Sequence, residues 1–208
     1  EKALEKVTSK IFESTKTYPS KEEDISKIPP PISAYGVSKL VGEWYCYAFN
    51  NEYGLKYTII RPFNAYGINE KPEREVGYAH VIPDLVKKIL DGQYPLELLG
   101  DGSQTRCFTH VSDIAKGIIQ ALETKRAENQ DFNIGSEKEI KMIDLAKLIW
   151  EKCNVRKPFK VKFVPGFKYD IKRRVPSSEK ARKILNWKQE KKLENELPEI
   201  IDWIKTQL

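Results

Sequence analysis

The stretch from Ser33 to Pro62 constrains the fold more than any other part of the chain. Ser33 has the residue type of a helix cap. Apolar residues then recur at Val37, Leu40, Val41, Trp44, Tyr45 and Ala48, a helical period that runs from Ala34 to about Tyr53. Gly54 stands where a left-handed stop would fall. Lys56–Arg61 reads Lys-Tyr-Thr-Ile-Ile-Arg, a short β-rich run closed by Pro62. A long helix, a glycine, a strand and then a polar loop is the pattern of an α/β fold.

The rest of the chain extends that pattern. Val7–Phe12 is expected as a strand leading into the polar turn Glu13–Lys16, and Pro19–Pro31 as a charged loop ending in three prolines. Helices are predicted over 82–90, 113–122 (capped by Ser112), 140–150, from Ser177 or Ser178 to 185, and over 193–204. Strands are predicted over 96–99, 107–111, 131–134 and 160–164. The loop 64–77 is rich in Gly, Asn, Pro and charge, and Gly100-Asp101-Gly102 reads as a turn. This order fits the carboxyl-half strands of a doubly wound parallel sheet, followed by a smaller mixed α/β region. A complete doubly wound sheet also carries a phosphate-binding turn, and no G-x-G-x-x-G occurs in the chain. The expectation is therefore a truncated chain. The natural protein would be longer by roughly one hundred residues, about what a βαβαβ unit requires.

Composition narrows the function classes. A chain that is 40% hydrophobic and 32% charged can build a core and keep a wet surface. The net charge of +6 is spread along the chain. It suits attraction of a small anion, and no basic stripe interleaved with aromatics points to nucleic acid. No apolar run is long enough to span a membrane, and no signal-peptide pattern is present. Cys46, Cys107 and Cys153 are far apart and His80 and His110 are the only histidines, which argues against a metal site. A sparse, odd cysteine set fits a reducing, cytoplasmic setting.

The chemistry concentrates at Tyr35-Gly36-Val37-Ser38-Lys39. Tyr35 and Lys39, four apart on a helix, share a face. A free phenol titrates near ~10, and a neighbouring cation favours its ionised form. The pair is thus a candidate acid/base, with Ser14 upstream as a second donor to the same substrate oxygen. Such a set suits taking a proton from a sugar hydroxyl while hydride leaves its carbon. No side chain accepts hydride, so a nicotinamide would have to. The alternative is chance: Tyr and Lys fall four apart on many helices.

Several ordered segments carry a resemblance. These are Ser14 with Tyr18, Ala34–Lys39, Arg61-Pro62-Phe63-Asn64-Ala65-Tyr66-Gly67, Gly100–Arg106, Val111-Ser112-Asp113, Arg174-Val175-Pro176, Lys180-Ala181-Arg182 and Leu185-Asn186-Trp187. Together they resemble the extended short-chain dehydrogenase/reductase family of NAD-dependent nucleotide-sugar epimerases and dehydratases, and within it the UDP-glucose 4-epimerase-like group. The resemblance implies a Rossmann-type fold with NAD as cofactor. Residues 1–67 would be the catalytic half of the dinucleotide-binding domain. Residues 68–208 would be mainly a sugar-nucleotide-binding domain, with 103–125 returning to the first. It implies Tyr35 as the acid/base, Lys39 orienting it and bonding the nicotinamide ribose, Ser14 assisting, and Pro62 near the carboxamide. Asn64 would contact the substrate diphosphate, Ala79, His80, Val81 and Ile82 would line the nucleotide pocket, and Arg106 and Arg174 would grip phosphate oxygens. The guanidinium fork suits that task, although each arginine is equally readable as a surface charge. Asp113 reads as a helix anchor, and Trp187 and Trp203 as packing residues. A homodimer through the Tyr35 helix is implied as well.

Two departures bear on the reaction. Pro19 stands where the family usually has Gly, and Thr15-Lys16 follow Ser14 where dehydratases and decarboxylases usually carry an acid. C4 epimerisation of a UDP-hexose needs only reversible oxidation to a 4-keto sugar, so it is the expected activity. A dehydratase, decarboxylase or reductase of the same fold is the alternative, and so is an inactive fragment that only binds a sugar nucleotide.

Overall fold

The computed structural model describes residues 2–6, 8–72, 80–166 and 171–208. Among them the chain runs β1 (Lys2–Lys6), α1 (Ala34–Tyr53), β2 (Lys56–Pro62), β3 (Ala65–Tyr66), α2 (Val81–Leu90), β4 (Leu96–Leu99), β5 (Thr105–Arg106) and β6 (Thr109–His110). It continues through α3 (Val111–Glu123), β7 (Gln130–Ile134), β8 (Ile140–Lys141), α4 (Met142–Lys152), β9 (Val161–Val164), α5 (Glu179–Leu185) and α6 (Leu193–Lys205). The chain divides into two compact units. The first comprises 1–65, 107–139 and 174–190, the second 66–106, 140–173 and 191–208. The return expected over 103–125 thus takes the span 107–139, and 174–190, expected in the second domain, packs in the first.

The first unit is built on a parallel sheet of order β1-β2-β7, with Lys2 opposite Lys56 and Arg61 opposite Asn133. Parallel neighbours need crossovers, which α1 and α3 help to supply. β2 is buried through most of its length, as a strand covered on both faces must be. Side chains alternate across a sheet, so consecutive isoleucines serve opposite layers. Ile59 joins Ile11, Phe12, Tyr57 and Phe63, against which Leu40 and Tyr47 of α1 pack. Ile60 joins Phe132, Ile134, Ile114 of α3 and Leu185 of α5. Helices on both faces of a parallel sheet define the expected Rossmann-type half. Trp187 is a packing residue, as expected. Its indole Nε1 donates to Asp113 O at 2.8 Å, and a Cβ on Gly117 would come within 3.0 Å of the ring.

The second unit is the smaller mixed region. β4 pairs β9 in parallel and β5 pairs β8 antiparallel. α2, α4 and α6 pack on one another, and their buried residues include Leu85, Val86, Ile89, Leu145, Ile149, Leu197 and Ile201.

Four local expectations are corrected. The strand expected at Val7–Phe12 lies earlier, at Lys2–Lys6; Val7 is outside the described residues, and Ser9–Phe12 is a 3-10 turn. The Thr8 side chain accepts from Lys10 N and opens that turn, so its hydroxyl competes with a ladder. The loop 19–31 contains a 3-10 turn, Glu22–Lys27, where Asp24 accepts from Lys21 N at 2.8 Å. α3 starts at Val111 and is capped by the His110 side chain, with Ser112 inside the first turn. The apolar band of α1 largely faces out: Val37, Trp44, Tyr45 and Ala48 are exposed, and of the six only Leu40 joins the core cluster.

Candidate active site

The N-terminus of α1 is held by a side chain that sequence reasoning missed. Ser33 caps the helix, its Oγ accepting from Gly36 N at 3.0 Å. Glu13 then takes Ser33 with both oxygens, accepting from its N at 2.5 Å and its Oγ at 2.9 Å. Burial pushes the Glu13 carboxyl up, but the two Ser33 bonds and Lys10 outweigh it and hold the group below the ordinary carboxylate range. Glu13 immediately precedes Ser14, so the serine segment is tied two residues before Tyr35. Gly36 allows the close approach. A Cβ there would fall 2.6 Å from Pro31 Cβ and 3.3 Å from Lys10 O. Nothing local in the sequence links Glu13 to Ser33, since the contact spans a loop.

Tyr35 is 56% exposed, and its hydroxyl has no partner among the described residues. The Lys39 ammonium lies 5.9 Å from its ring centroid and makes no ion pair among the described residues. That is within cation–π reach. The Ser14 hydroxyl, half-buried, donates to Pro30 O at 3.1 Å. Tyr18 donates to Thr15 O at 3.1 Å, and Pro19 follows a cis peptide bond.

Pro62 ends β2, and Asn64 follows with φ of 37°. Asn64 ties this loop to two others. Its Nδ2 donates to Cys107 O at 3.1 Å, its backbone O accepts from Thr109 N at 3.1 Å, and its Oδ1 accepts from Arg174 Nη1 at 3.4 Å. The first unit therefore holds Ser14, Tyr35, Lys39, Pro62, Asn64 and Arg174. The second holds His80, Val81, Ile82 and Arg106; Ala79 lies outside the described residues. Arg106 donates through Nη1 to the carbonyls of Thr105 and Ile171, at 2.7 and 2.6 Å. His80 pairs with Glu70, whose carboxylate raises it above an ordinary histidine against the effect of burial. Ile82 is only 2% exposed, so its side chain belongs to the core and only its backbone can face a ligand.

Beneath α1 lies a charge network, also missed. Arg61, fully buried, donates from Nε and Nη2 to the two oxygens of Glu43 at 2.7 and 2.8 Å. Its Nη1 is 2.7 Å from Asp131 Oδ2, close but out of line for a hydrogen bond, so charge holds that contact. Lys180 donates to Asp131 Oδ1 at 2.6 Å. Burial opposes the Asp131 charge, but Arg61 and Lys180 prevail and hold its carboxyl low. A signal was available: Arg61 is the one charged residue at the end of an otherwise apolar run, and Glu43 continues the Tyr35–Lys39 spacing by four.

Among the described residues, α1 thus carries a phenol without a hydrogen-bond partner and, one turn on, an ammonium without an ion pair, with the serine segment clamped to the same helix cap. These two donors, without partners among the described residues, suit the diol of a nicotinamide ribose. The chain is similar to several known proteins. The chain is 36% identical over 176 residues to a putative UDP-glucose 4-epimerase of Methanocaldococcus jannaschii, covering 84% of this chain and 54% of that protein. It is 28% identical to UDP-glucuronic acid decarboxylase 1 of Danio rerio over 97% of this chain and 46% of that one. A UDP-glucuronic acid 4-epimerase from Bacillus cereus, solved with UDP-glucuronic acid and NAD, superposes with a TM-score of 0.86 at 27% identity, covering 100% of this chain and 62% of its own. The chain spans about half the length of the curated relatives it matches. Residues 2–135 match the model of the NAD dependent epimerase/dehydratase family, and the chain belongs to that family.

Proposed function

We propose that this chain carries the catalytic residues of an NAD-dependent C4 epimerase acting on a nucleotide sugar, a UDP-hexose. The single observation that carries the reading is Tyr35, whose hydroxyl has no partner among the described residues and whose ring centroid lies 5.9 Å from the Lys39 ammonium. As phenolate, Tyr35 takes the proton of the sugar C4 hydroxyl and later returns it to the 4-keto oxygen. Lys39, one turn on, orients Tyr35 and bonds the nicotinamide ribose. Ser14, which donates to Pro30 O in this structure, would turn its hydroxyl to the same oxygen; the Glu13–Ser33 clamp, which ties the residue before Ser14 to the α1 cap, supports that role. The chemistry NAD supplies when bound is to accept the C4 hydride and give it back. Pro62 is assigned to the carboxamide side, and Asn64, Arg106, Arg174 and the 79–82 segment to the diphosphate and nucleotide. Asn64 and Arg174 already touch, which supports a shared anion role. The decarboxylase relative keeps a second reading open, but Thr15 and Lys16 still stand where an acid would serve that reaction.

Two further readings accompany the activity. A homodimer through α1 is supported by the exposed Val37, Trp44, Tyr45, Phe49 and Tyr53, an apolar display that water disfavours. A cytoplasmic setting is supported by three cysteines that form no disulfide among the described residues. Among the described residues no helix is long and apolar enough to cross a membrane.

The test is conversion of UDP-glucose to UDP-galactose by the full chain, followed by chromatography, with NADH absorbance recorded. Interconversion without net NADH is expected, and release of CO2 or water would replace the epimerase reading. Tyr35→Phe is expected to lower turnover by at least about 1,000-fold while UDP-sugar affinity stays within about threefold; surviving turnover would reject Tyr35 as the acid/base.

A further inference from the structure

We propose that Glu43 and Arg61 form a positioning pair that sets where Tyr35 and Lys39 stand relative to the end of β2. The proposal rests on the catalytic reading of Tyr35 and Lys39.

Residues four apart on a helix advance by about 40° around its axis. The row 35, 39, 43 therefore winds inward: Tyr35 is exposed, Lys39 half-buried and Glu43 fully buried. The buried end of the row is the Glu43 carboxylate, and it meets Arg61 fork to fork through two bonds. A planar carboxylate facing a planar guanidinium tolerates little rotation or sliding. Arg61 is itself immobilised. Its backbone is in the central strand, its guanidinium lies 5.6 Å from the Phe12 ring centroid, and Asp131 of β7 holds the third nitrogen. Lys180 pairs with Asp131 in turn, so each carboxylate that faces Arg61 is met by a cation. Arg61 directly precedes Pro62, so one ion pair references both the helix carrying the acid/base and the strand end assigned to the carboxamide.

Stability alone does not account for this choice of residues. A buried ion pair replaced by apolar groups of similar volume is often neutral or stabilising. Apolar groups would fill the space but would not fix the helix in rotation and translation. A misplacement of about 1 Å is enough to cost roughly 100-fold in rate.

The experiment compares wild type with the double variant Glu43→Leu/Arg61→Met, and with Arg61→Lys and Glu43→Gln, in the full chain. Thermal melting, UDP-glucose affinity by calorimetry, and kcat and KM are measured. The expected result is a double variant that melts near wild type and binds UDP-glucose within about threefold, with kcat down roughly 100-fold. Arg61→Lys, which keeps the charge without the fork, is expected to lose kcat by about tenfold and Glu43→Gln by at least tenfold, both at unchanged KM. A folded double variant with kcat within a few-fold of wild type overturns the proposal. If the double variant does not fold, Glu43→Gln decides: unchanged kcat overturns it and a tenfold loss at constant KM supports it. Turnover surviving Tyr35→Phe would remove the catalytic reading itself, a different outcome from any of these.

Discussion

α1 and α2 show the same helical spacing of apolar residues and use it in opposite ways. α2 buries Ile82, Leu85, Val86 and Ile89 in the core of the second unit, with Asp84 and Lys88 paired on its flank at 2.7 Å. α1 turns Val37, Trp44 and Tyr45 to solvent, and its fully buried residues are Gly36 and Glu43. Inward faces are usually apolar. The inward face of α1 instead provides a close approach and a charge, with Leu40 and Tyr47 packing alongside. Periodicity identifies a face but does not say which medium it meets.

The sharpest way to break this comparison is to empty the charged contact. Glu43→Ala leaves a buried guanidinium without its main partner and is expected to cost about 3–5 kcal/mol by denaturant unfolding. The matching deletion in α2, Leu85→Ala, removes apolar packing only and should cost about 2–4 kcal/mol. A smaller cost at Glu43 than at Leu85 would show that the α1 contact is looser than its geometry. Acid separates the two helices further. Asp131 has a folded carboxyl held below its ordinary value of 3.8. Its contribution is therefore present above the unfolded pKa and is lost as pH falls through the folded one. Unfolding titrations of Asp131→Asn against wild type should converge as pH drops below about 4, whereas Leu85→Ala should keep a constant gap. The smallest effect is expected outside. Trp44→Gln should change unfolding stability at low protein concentration by no more than about 0.5 kcal/mol. Sedimentation at higher concentration should show weakened self-association; an unchanged association constant would remove α1 as the interface.

Much of the architecture was legible because it depends on neighbours in sequence. The α1 span, its Ser33 cap and Gly54 stop, and the β2 span follow from residue type and spacing within a few positions. The strand expected at Val7–Phe12 failed for an equally local reason: the Thr8 side chain caps a turn, and Ile11 and Phe12 are buried there instead. At the candidate site, the Tyr35–Lys39 spacing was readable, but the groups that hold it were not. Glu13 reaches Ser33 across twenty residues and Asp131 reaches Arg61 across seventy, and no local rule connects such pairs.

The amino-acid order by itself determined most of the helices and strands, the parallel α/β class and the Tyr35–Lys39 spacing, since each depends on torsional preference and period along one segment. Tertiary structure alone decided that the aromatic side of α1 faces water, that Glu43 and Arg61 are sealed together, and that Glu13 fastens the serine segment to the helix cap. Those outcomes turn on desolvation, and a charge is desolvated only by what distant parts of the chain place around it.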